Sequence, residues 1–435
     1  MKDSGIEWIG EIPEDWEVSK GKYLYIRNDG GIWGVDCDEN KGYIVLRSTE
    51  QLADGTLQIA NPAVRGLSKK EFANTKLIEG DIIITKSSGS MAHIGKASYV
   101  TDLIESMNCS FSNFMQRIRF KGPYPKYYWY VINSIIVREQ FNYLSTTTTG
   151  LNNISAEMLR EIIIPSPPLY IQKAIANYLD EKVAKIDHII EKTKESIEEY
   201  KKYKQSLITE TVTKGLNPNV EMKDSGIEWI GEIPEHWKIT KSKFLYDIVL
   251  GKMLCTKQID NSYTLENYLC AQNIKWEGIS TKEIKQMWFS PREKKQYLLK
   301  YGDVVVVEGG DIGVSSVYKG EAKPCCIQNA VHKVSSKGNS LNKLFYYWMT
   351  VVVSSGYLDT ICNKATIRHY TKEKLENTPI LFIPVREQCE IVSYLDKKCS
   401  KINNLITQKE QLLTELESYK KSLIYEYVTG KKQVV

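Results

Sequence analysis

The chain has 435 residues, 42% apolar and 26% charged, with a formal net charge of +5 at neutral pH. That is the make-up of a folded protein with room for two or three ordinary domains, and it excludes a disordered chain. No run approaches the roughly 20 apolar residues of a membrane span. The start Met1-Lys2-Asp3 is not a signal peptide, and nine cysteines without a CxxC pair fit a reducing compartment, so a cytoplasmic location is expected.

The first element, MKDSGIEWIGEIPEDW (Met1–Trp16), sets Ile6, Trp8, Ile9, Ile12 and Trp16 among Gly5, Gly10 and Pro13, which reads as an irregular apolar strap. It recurs at Met222–Trp237 with one change, Asp15 against His236. Further blocks repeat in the same order. EVSKGKYLY (Glu17–Tyr25) answers KITKSKFLY (Lys238–Tyr246), and EGDIIIT near Gly80 answers YGDVVVV near Gly302. YLDEKVAKIDHII from Tyr178 answers YLDKKCSKINNLI from Tyr394, and YKQSLITETVTKG from Tyr203 answers YKKSLIYEYVTGK from Tyr419. The chain is therefore a tandem duplication of residues 1–221 and 222–435, and two copies imply a pseudo-two-fold molecule.

After each strap comes a stretch that reads as mixed α/β. The β-branched runs DIIIT and DVVVV are buried strands entered through Gly-Asp turns. Here the copies match poorly, from about 26 to 160 and from 247 to 378. Polar loops punctuate both stretches. In the first they are Arg47-Ser48, Lys86-Ser87-Ser88 and STTTTGLNN (Ser145–Asn153). In the second they are Gln272-Asn273-Ile274-Lys275, Glu308-Gly309-Gly310 and NKATIRHY (Asn363–Tyr370).

Pro167-Pro168 then introduces a helix with apolar residues at alternating steps of three and four: Ile175, Leu179, Val183, Ile186, Ile190, Thr193, Ile197 and Tyr200. The second copy repeats the seam at Ile391, Leu395, Cys399, Ile402, Ile406, Leu413, Leu416 and Leu423. Gly215 and Gly430 are the stop signals. About 40 helical residues make a rod of roughly 60 Å, longer than the face a globular domain offers, so the two helices are expected to pack antiparallel against each other. The expected partition is a globular domain at 1–168, a helix at 169–214, a linker at 215–221, a second domain at 222–384 and a second helix at 385–430. The second strap follows the first helix closely through KGLNPNVEM, so by symmetry Met1 is expected beside the end of the last helix, near Lys431.

With these blocks in view, the chain resembles the specificity subunit of a Type I restriction–modification system over essentially its whole length. The resemblance rests on the GIEWIGEIPEDW opening of each half, the GDIII strand, IPSPPLYIQKAIANYLD (Ile164–Asp180) and IPVREQCEIVSYLD (Ile383–Asp396). It implies an α/β fold with two target-recognition domains, each reading one half of a bipartite asymmetric double-stranded DNA target, joined by two long antiparallel helices that form a coiled-coil spacer. It also implies docking to two methyltransferase subunits and, through the assembled complex, to motor-nuclease subunits. The subunit itself is non-catalytic and holds no metal. S-adenosylmethionine, ATP and Mg are expected in the partner subunits.

DNA contact needs cations for phosphates and forked polar groups for base edges. The candidates in the first half are Arg47, Ser48, Lys86, Ser87, Ser88, Thr146, Thr147, Thr148, Thr149, Asn152 and Asn153. In the second they are Gln272, Asn273, Lys275, Gly309, Lys364, Thr366, Arg368, His369 and Tyr370. Leu179, Val183, Ile186, Ile190, Ile197, Leu395, Ile402, Ile406, Leu413 and Leu416 are assigned to packing between the spacer helices.

Motifs that approach catalysis fall short. SPPLY at Ser166–Tyr170 has Leu169 where an amino-methyltransferase tetrad needs an aromatic ring for the flipped base. GSMAHIGKAS (Gly89–Ser98) has five residues between its glycines where a P-loop has four. The five histidines show no metal-ligand spacing. Two other readings stay open at this point: a coiled-coil protein-binding adaptor without DNA specificity, and a single-chain adenine methyltransferase.

Overall fold

A computed structural model describes the chain except for residues 39–40, 53, 88–93, 147–152, 363–367 and 435, and except for the side chains of 142, 145 and 146. The chain divides into two compact units, Met1–Thr193 with Gln411–Val435, and Lys194–Glu410.

The first unit is built around a four-stranded antiparallel sheet in the order Tyr25–Gly30, Met115–Phe120, Ile82–Thr85, Ala97–Tyr99. Alternate residues of a strand face opposite sides. Ile82 and Ile84 enter the core shared with the strap and the helix Pro125–Asn133, while Ile83 enters a second core with Leu46, Val100 and Phe111. Both faces are covered, which is why Ile82, Ile83 and Ile84 are apolar in succession. The turn before it needs Gly80 at φ 85°, a conformation that side chains disfavour. The buried Asp81 then accepts the N–H of Ile78 at 3.1 Å and receives Arg119 Nε at 2.6 Å.

Over the second face lies a three-stranded sheet in the order Ala63–Arg65, Tyr43–Leu46, Cys109–Phe111, its last pair parallel. A two-stranded base joins Glu17–Lys20 to Ile163–Ser166.

The second unit repeats this plan. Its four-stranded sheet runs Tyr246–Leu250, Val331–Ser336, Val304–Val307, Ser315–Val317. Its three-stranded sheet runs Lys285–Phe289, Thr264–Leu269, Cys325–Ile327, again with a parallel last pair. Lys238–Lys241 pairs with Pro379–Phe382 at the base. The interiors that match poorly in sequence therefore share one topology. Small devices are shared too. Arg117 donates to the carbonyls of Asn74 and Lys76, at 2.7 and 2.8 Å, and Lys333 to those of Gln296 and Leu298, at 2.6 and 3.2 Å.

The long helices are Leu169–Lys214, 46 residues, and Val385–Val428, 44 residues. Each is entered through a buried glutamine that donates back to the preceding turn: Gln172 to Pro167 O at 2.9 Å and Gln388 to Ile383 O at 2.7 Å. Of the seam, Leu179, Val183, Ile186, Ile197, Leu395, Ile402 and Ile406 are buried, and Ile190, Leu413 and Leu416 are half-buried. Within the first unit the helices run antiparallel, with Tyr178 against Tyr427 at 4.5 Å between ring centroids and Asp187 against Lys420 at 2.6 Å. Within the second they do so again, with Lys204 donating to Asn403 at 2.9 Å and Lys409 over the Tyr200 ring at 5.8 Å.

The strap of the first unit closes on the end of the last helix. Lys431 Nζ donates to Ile9 O at 3.1 Å, and Gly430, at φ 72°, is crowded by Pro13 and Trp16. In the second unit Gly215, at φ 76°, meets Trp237 and Pro234 in the same way. Among the described residues, no helix is long and apolar enough to cross a membrane.

Candidate nucleic-acid interface

In each unit the central strand of the four-stranded sheet emerges into a loop pinned on both sides by backbone. In the first, Lys86 N–H donates to Phe114 O at 3.0 Å and Lys86 O accepts from Ile154 N–H at 2.8 Å. Ser87 bridges Asn153. In the second, Glu308 N–H donates to Ala330 O at 2.9 Å and Glu308 O accepts from Tyr370 N–H at 2.7 Å, while Gly309 bridges His369. The scaffold is the same and the side chains it presents are not.

The first cleft presents the half-buried Lys86 and Ser87 beside the exposed Asn153, with Phe114 55% exposed on its flank. Lys86 Nζ lies against Gly30, 3.2 Å from where a Cβ would stand, so the glycine makes room for the ammonium. The second cleft presents Glu308, Gly309 and the exposed His369. Burial pushes the Glu308 carboxyl above its ordinary pKa, and the His369 imidazole opposes that shift. Arg368 stands beside this cleft, half-neutralised by Asp359 at 2.6 Å. Nothing in the sequence around Phe114 or Glu308 marks either as a cleft residue. The signal that finds them is their position flanking the bridged residues, which only the paired backbone reveals.

Several sequence candidates have other work. Arg47 sends Nε to Glu50 Oε1 at 2.9 Å and Nη2 to Asn61 O at 2.9 Å, while its N–H also binds Glu50. Asn273 does the equivalent: its Oδ1 accepts Cys270 N–H at 3.0 Å and its Nδ2 donates to Ser280 O at 3.1 Å. Both loops are one reciprocal helix-turn cap, and Asn273, 4% exposed, is a buried structural residue. Tyr370 is a further correction. It is fully buried with its hydroxyl 2.5 Å from Thr378 Oγ1, because it occupies the core position that Ile154 fills in the first unit.

Ser48 is half-buried in the Arg47 cap, whereas Gln272 and Lys275 are exposed on the edge of theirs. Thr146 ends the helix Ile135–Thr146, and its side chain is not among those described. Ser88, Thr147, Thr148, Thr149, Asn152, Lys364 and Thr366 lie outside the described residues.

Comparison with known proteins adds an independent line. Residues 13–199 and 234–415 each match the family described as Type I restriction modification DNA specificity domain. The chain is 25% identical to the putative type I restriction enzyme MjaX specificity subunit of Methanocaldococcus jannaschii, covering 98% of this chain and 96% of that one. It is 27% identical to the MjaVIII specificity subunit of the same organism, covering 97% and 94%. The EcoKI specificity subunit of Escherichia coli is 21% identical, covering 97% and 90%.

Among solved structures, a chain from work on complex assembly and conformational transition of the type I R-M system superposes with a TM-score of 0.73 at 14% identity, covering 97% of this chain and all of that one. The HsdS subunit from Thermoanaerobacter tengcongensis gives 0.54 at 14% identity, covering 97% and 98%. At those identities the likeness is one of fold.

Proposed function

Because the chain belongs to the Type I restriction–modification DNA specificity family, we propose that its two bridged clefts read the two halves of a bipartite asymmetric DNA target. The observation that carries this reading is the pair of clefts themselves. One backbone arrangement presents Lys86, Ser87 and Asn153 in one unit and Glu308, Gly309 and His369 in the other. A lysine suits phosphate or the O6/N7 edge of guanine, an asparagine the adenine edge, and a carboxylate accepts from the cytosine amino group. Two chemistries on one scaffold read two different half-sequences.

The long helices then act as the spacer, their length setting how many base pairs pass unread. The subunit docks two methyltransferase subunits, and through them the nuclease and translocase. S-adenosylmethionine, ATP and Mg belong to those partners, where base extrusion and methyl transfer take place. The adaptor reading leaves the differing cleft chemistry without a purpose. The single-chain methyltransferase reading is weakened by Leu169, which lacks the ring that would stack on a flipped base.

Lengthening both helices by four residues is expected to change the unread gap and leave each half-sequence intact. Mapping methylated bases for that variant is the test, and altered half-sequences with an unaltered gap would refute the spacer role. Affinity for DNA, measured with methyltransferase present, is expected to fall steeply with salt. An adaptor would show no such slope.

A further inference from the structure

EVSKGKYLY and KITKSKFLY, Glu17–Tyr25 and Lys238–Tyr246, differ at five of nine positions, so drift has acted on them. The four identities are Lys20/Lys241, Lys22/Lys243, Leu24/Leu245 and Tyr25/Tyr246. The fold explains most of these. Tyr25, Leu245 and Tyr246 are buried, and Leu24 is half-buried against the core. Lys22 and Lys243 tether the turn to the end of a short helix, through Glu161 at 3.3 Å and Asn377 at 3.0 Å.

Among the described residues, no packing contact explains Tyr23 and Phe244. They occupy the same place in the turn, and each is 64% exposed. The hydroxyl was not kept and the ring was. A lysine ammonium lies over each ring, Lys22 at 5.3 Å and Lys243 at 5.6 Å from the centroid. Exposed apolar pairs are also kept along the long helices, Leu169 with Val385, Ile189 with Leu405 and Tyr203 with Tyr419, whereas off the helices Ile26 is matched by Asp247 and Phe114 by Ala330.

A feature kept in both copies while its surroundings drift faces something that is the same for both copies. The rings stand where the strands Tyr25–Gly30 and Tyr246–Leu250 begin, and the clefts stand where those strands end, about 13–17 Å away along the chain direction. Duplex DNA takes an apolar ring only as a wedge that unstacks a base step, and its phosphates call for cations or hydroxyls, which the Phe244 ring lacks. A protein takes such a ring directly, because aromatic side chains are the usual anchors of interfaces.

We propose that Tyr23 and Phe244 anchor two equivalent docking sites for one partner protein, each ring entering an apolar pocket on its own copy of the methyltransferase subunit. This rests on the specificity-subunit reading above and assigns the surface by which that partner is held twice.

The test uses the full chain with the Tyr23→Ala and Phe244→Ala variants, singly and together, titrated with purified methyltransferase subunit and followed by native mass spectrometry. The wild type is expected to take two copies. Each single variant should take one copy normally and the other at least tenfold more weakly, and the double variant should bind both weakly. Tyr23→Phe with Phe244→Tyr should bind as the wild type does, and unchanged melting temperatures would show that the fold is intact. A double alanine variant that still takes two copies at wild-type affinity would overturn the proposal. So would one that keeps its partner affinity but loses DNA affinity in the absence of partner, because the rings would then belong to DNA. A wild-type chain that binds no methyltransferase would instead overturn the functional reading itself.

Discussion

His332 illustrates how much a single residue can carry. It is fully buried, its Nε2 lies 2.8 Å from Tyr370 O, and its Nδ1 has no partner among the described residues. Burial pushes its pKa down to about 4 from 6.5. The folded state therefore holds fewer protons than the unfolded state between those values, and stability falls as the pH drops through that window. At pH 5 the loss amounts to about 2 kcal/mol. The first unit places Gln116 at the matching strand position, where it donates to Asn28 Oδ1 at 2.7 Å. His332→Gln is thus expected to remove this acid sensitivity. Denaturant midpoints at pH 7 and pH 5 check it, and an unchanged pH dependence would refute the assignment.

The clefts give a second test at the same scale. Lys86→Ala is expected to relax one half-sequence and Glu308→Gln the other, each by about 1–3 kcal/mol of discrimination. Methylation mapping that finds both halves changed by either variant would argue against independent readers.

At the scale of elements, the single difference between the straps has a partner. His236 Nε2 lies 2.8 Å from Glu387 Oε1, and Trp237 Nε1 donates to Glu387 Oε2 at 3.0 Å. Aligning the buried entry glutamines, Gln172 with Gln388, puts Ile171 opposite Glu387 in the first copy, where the strap has Asp15. A carboxylate in the strap thus accompanies an apolar helix residue, and an imidazole accompanies a glutamate. His236→Asp sets two carboxylates together at a half-exposed site and is expected to cost about 1 kcal/mol. Adding Glu387→Ile should recover part of that loss. A double-mutant cycle on unfolding free energies measures the coupling, and simple additivity would refute it.

What could be read from sequence divides along similar lines. The heptad seam was legible because burial of one face imposes a period that survives changes of residue, and the two central strands because burial of both faces leaves a continuous β-branched run. The common topology of the interiors was not. Cys109–Phe111 and Cys325–Ile327 fill equivalent, fully buried strands with only one letter in common. The clefts were legible as polar loops, yet their membership was not. Tyr370 sits among polar neighbours in sequence but takes a core position, and Asn273 spends both its amide atoms on a cap. Polarity marks a loop, but only the backbone pairing tells which side chains are left free.

For the whole molecule, the strap decides how the chain can be cut. In the second unit the end of a long helix continues covalently into a strap: seven residues, 215–221, lie between Lys214 and Met222. In the first unit the same strap meets the end of the other long helix without a covalent link, through Lys431 with Ile9 and through Gly430 with Pro13 and Trp16. Lys214 aligns with Gly430, after which five residues remain, so a two-residue insert before Met1 would reproduce the natural connection. A permuted chain that begins at Met222, runs through Val435 and two glycines into Met1, and ends at Glu221 keeps every strap on its helix. Exchanging one short closure for another of equal length leaves the entropy of the unfolded chain almost unchanged. The permuted protein is expected to melt within a few degrees of the original and to direct methylation to the same bipartite sequence. Thermal unfolding and methylation mapping check both halves of that expectation. A permutant that folds but directs a different gap would show that the link at 215–221, and not strap packing, holds the second reader in register.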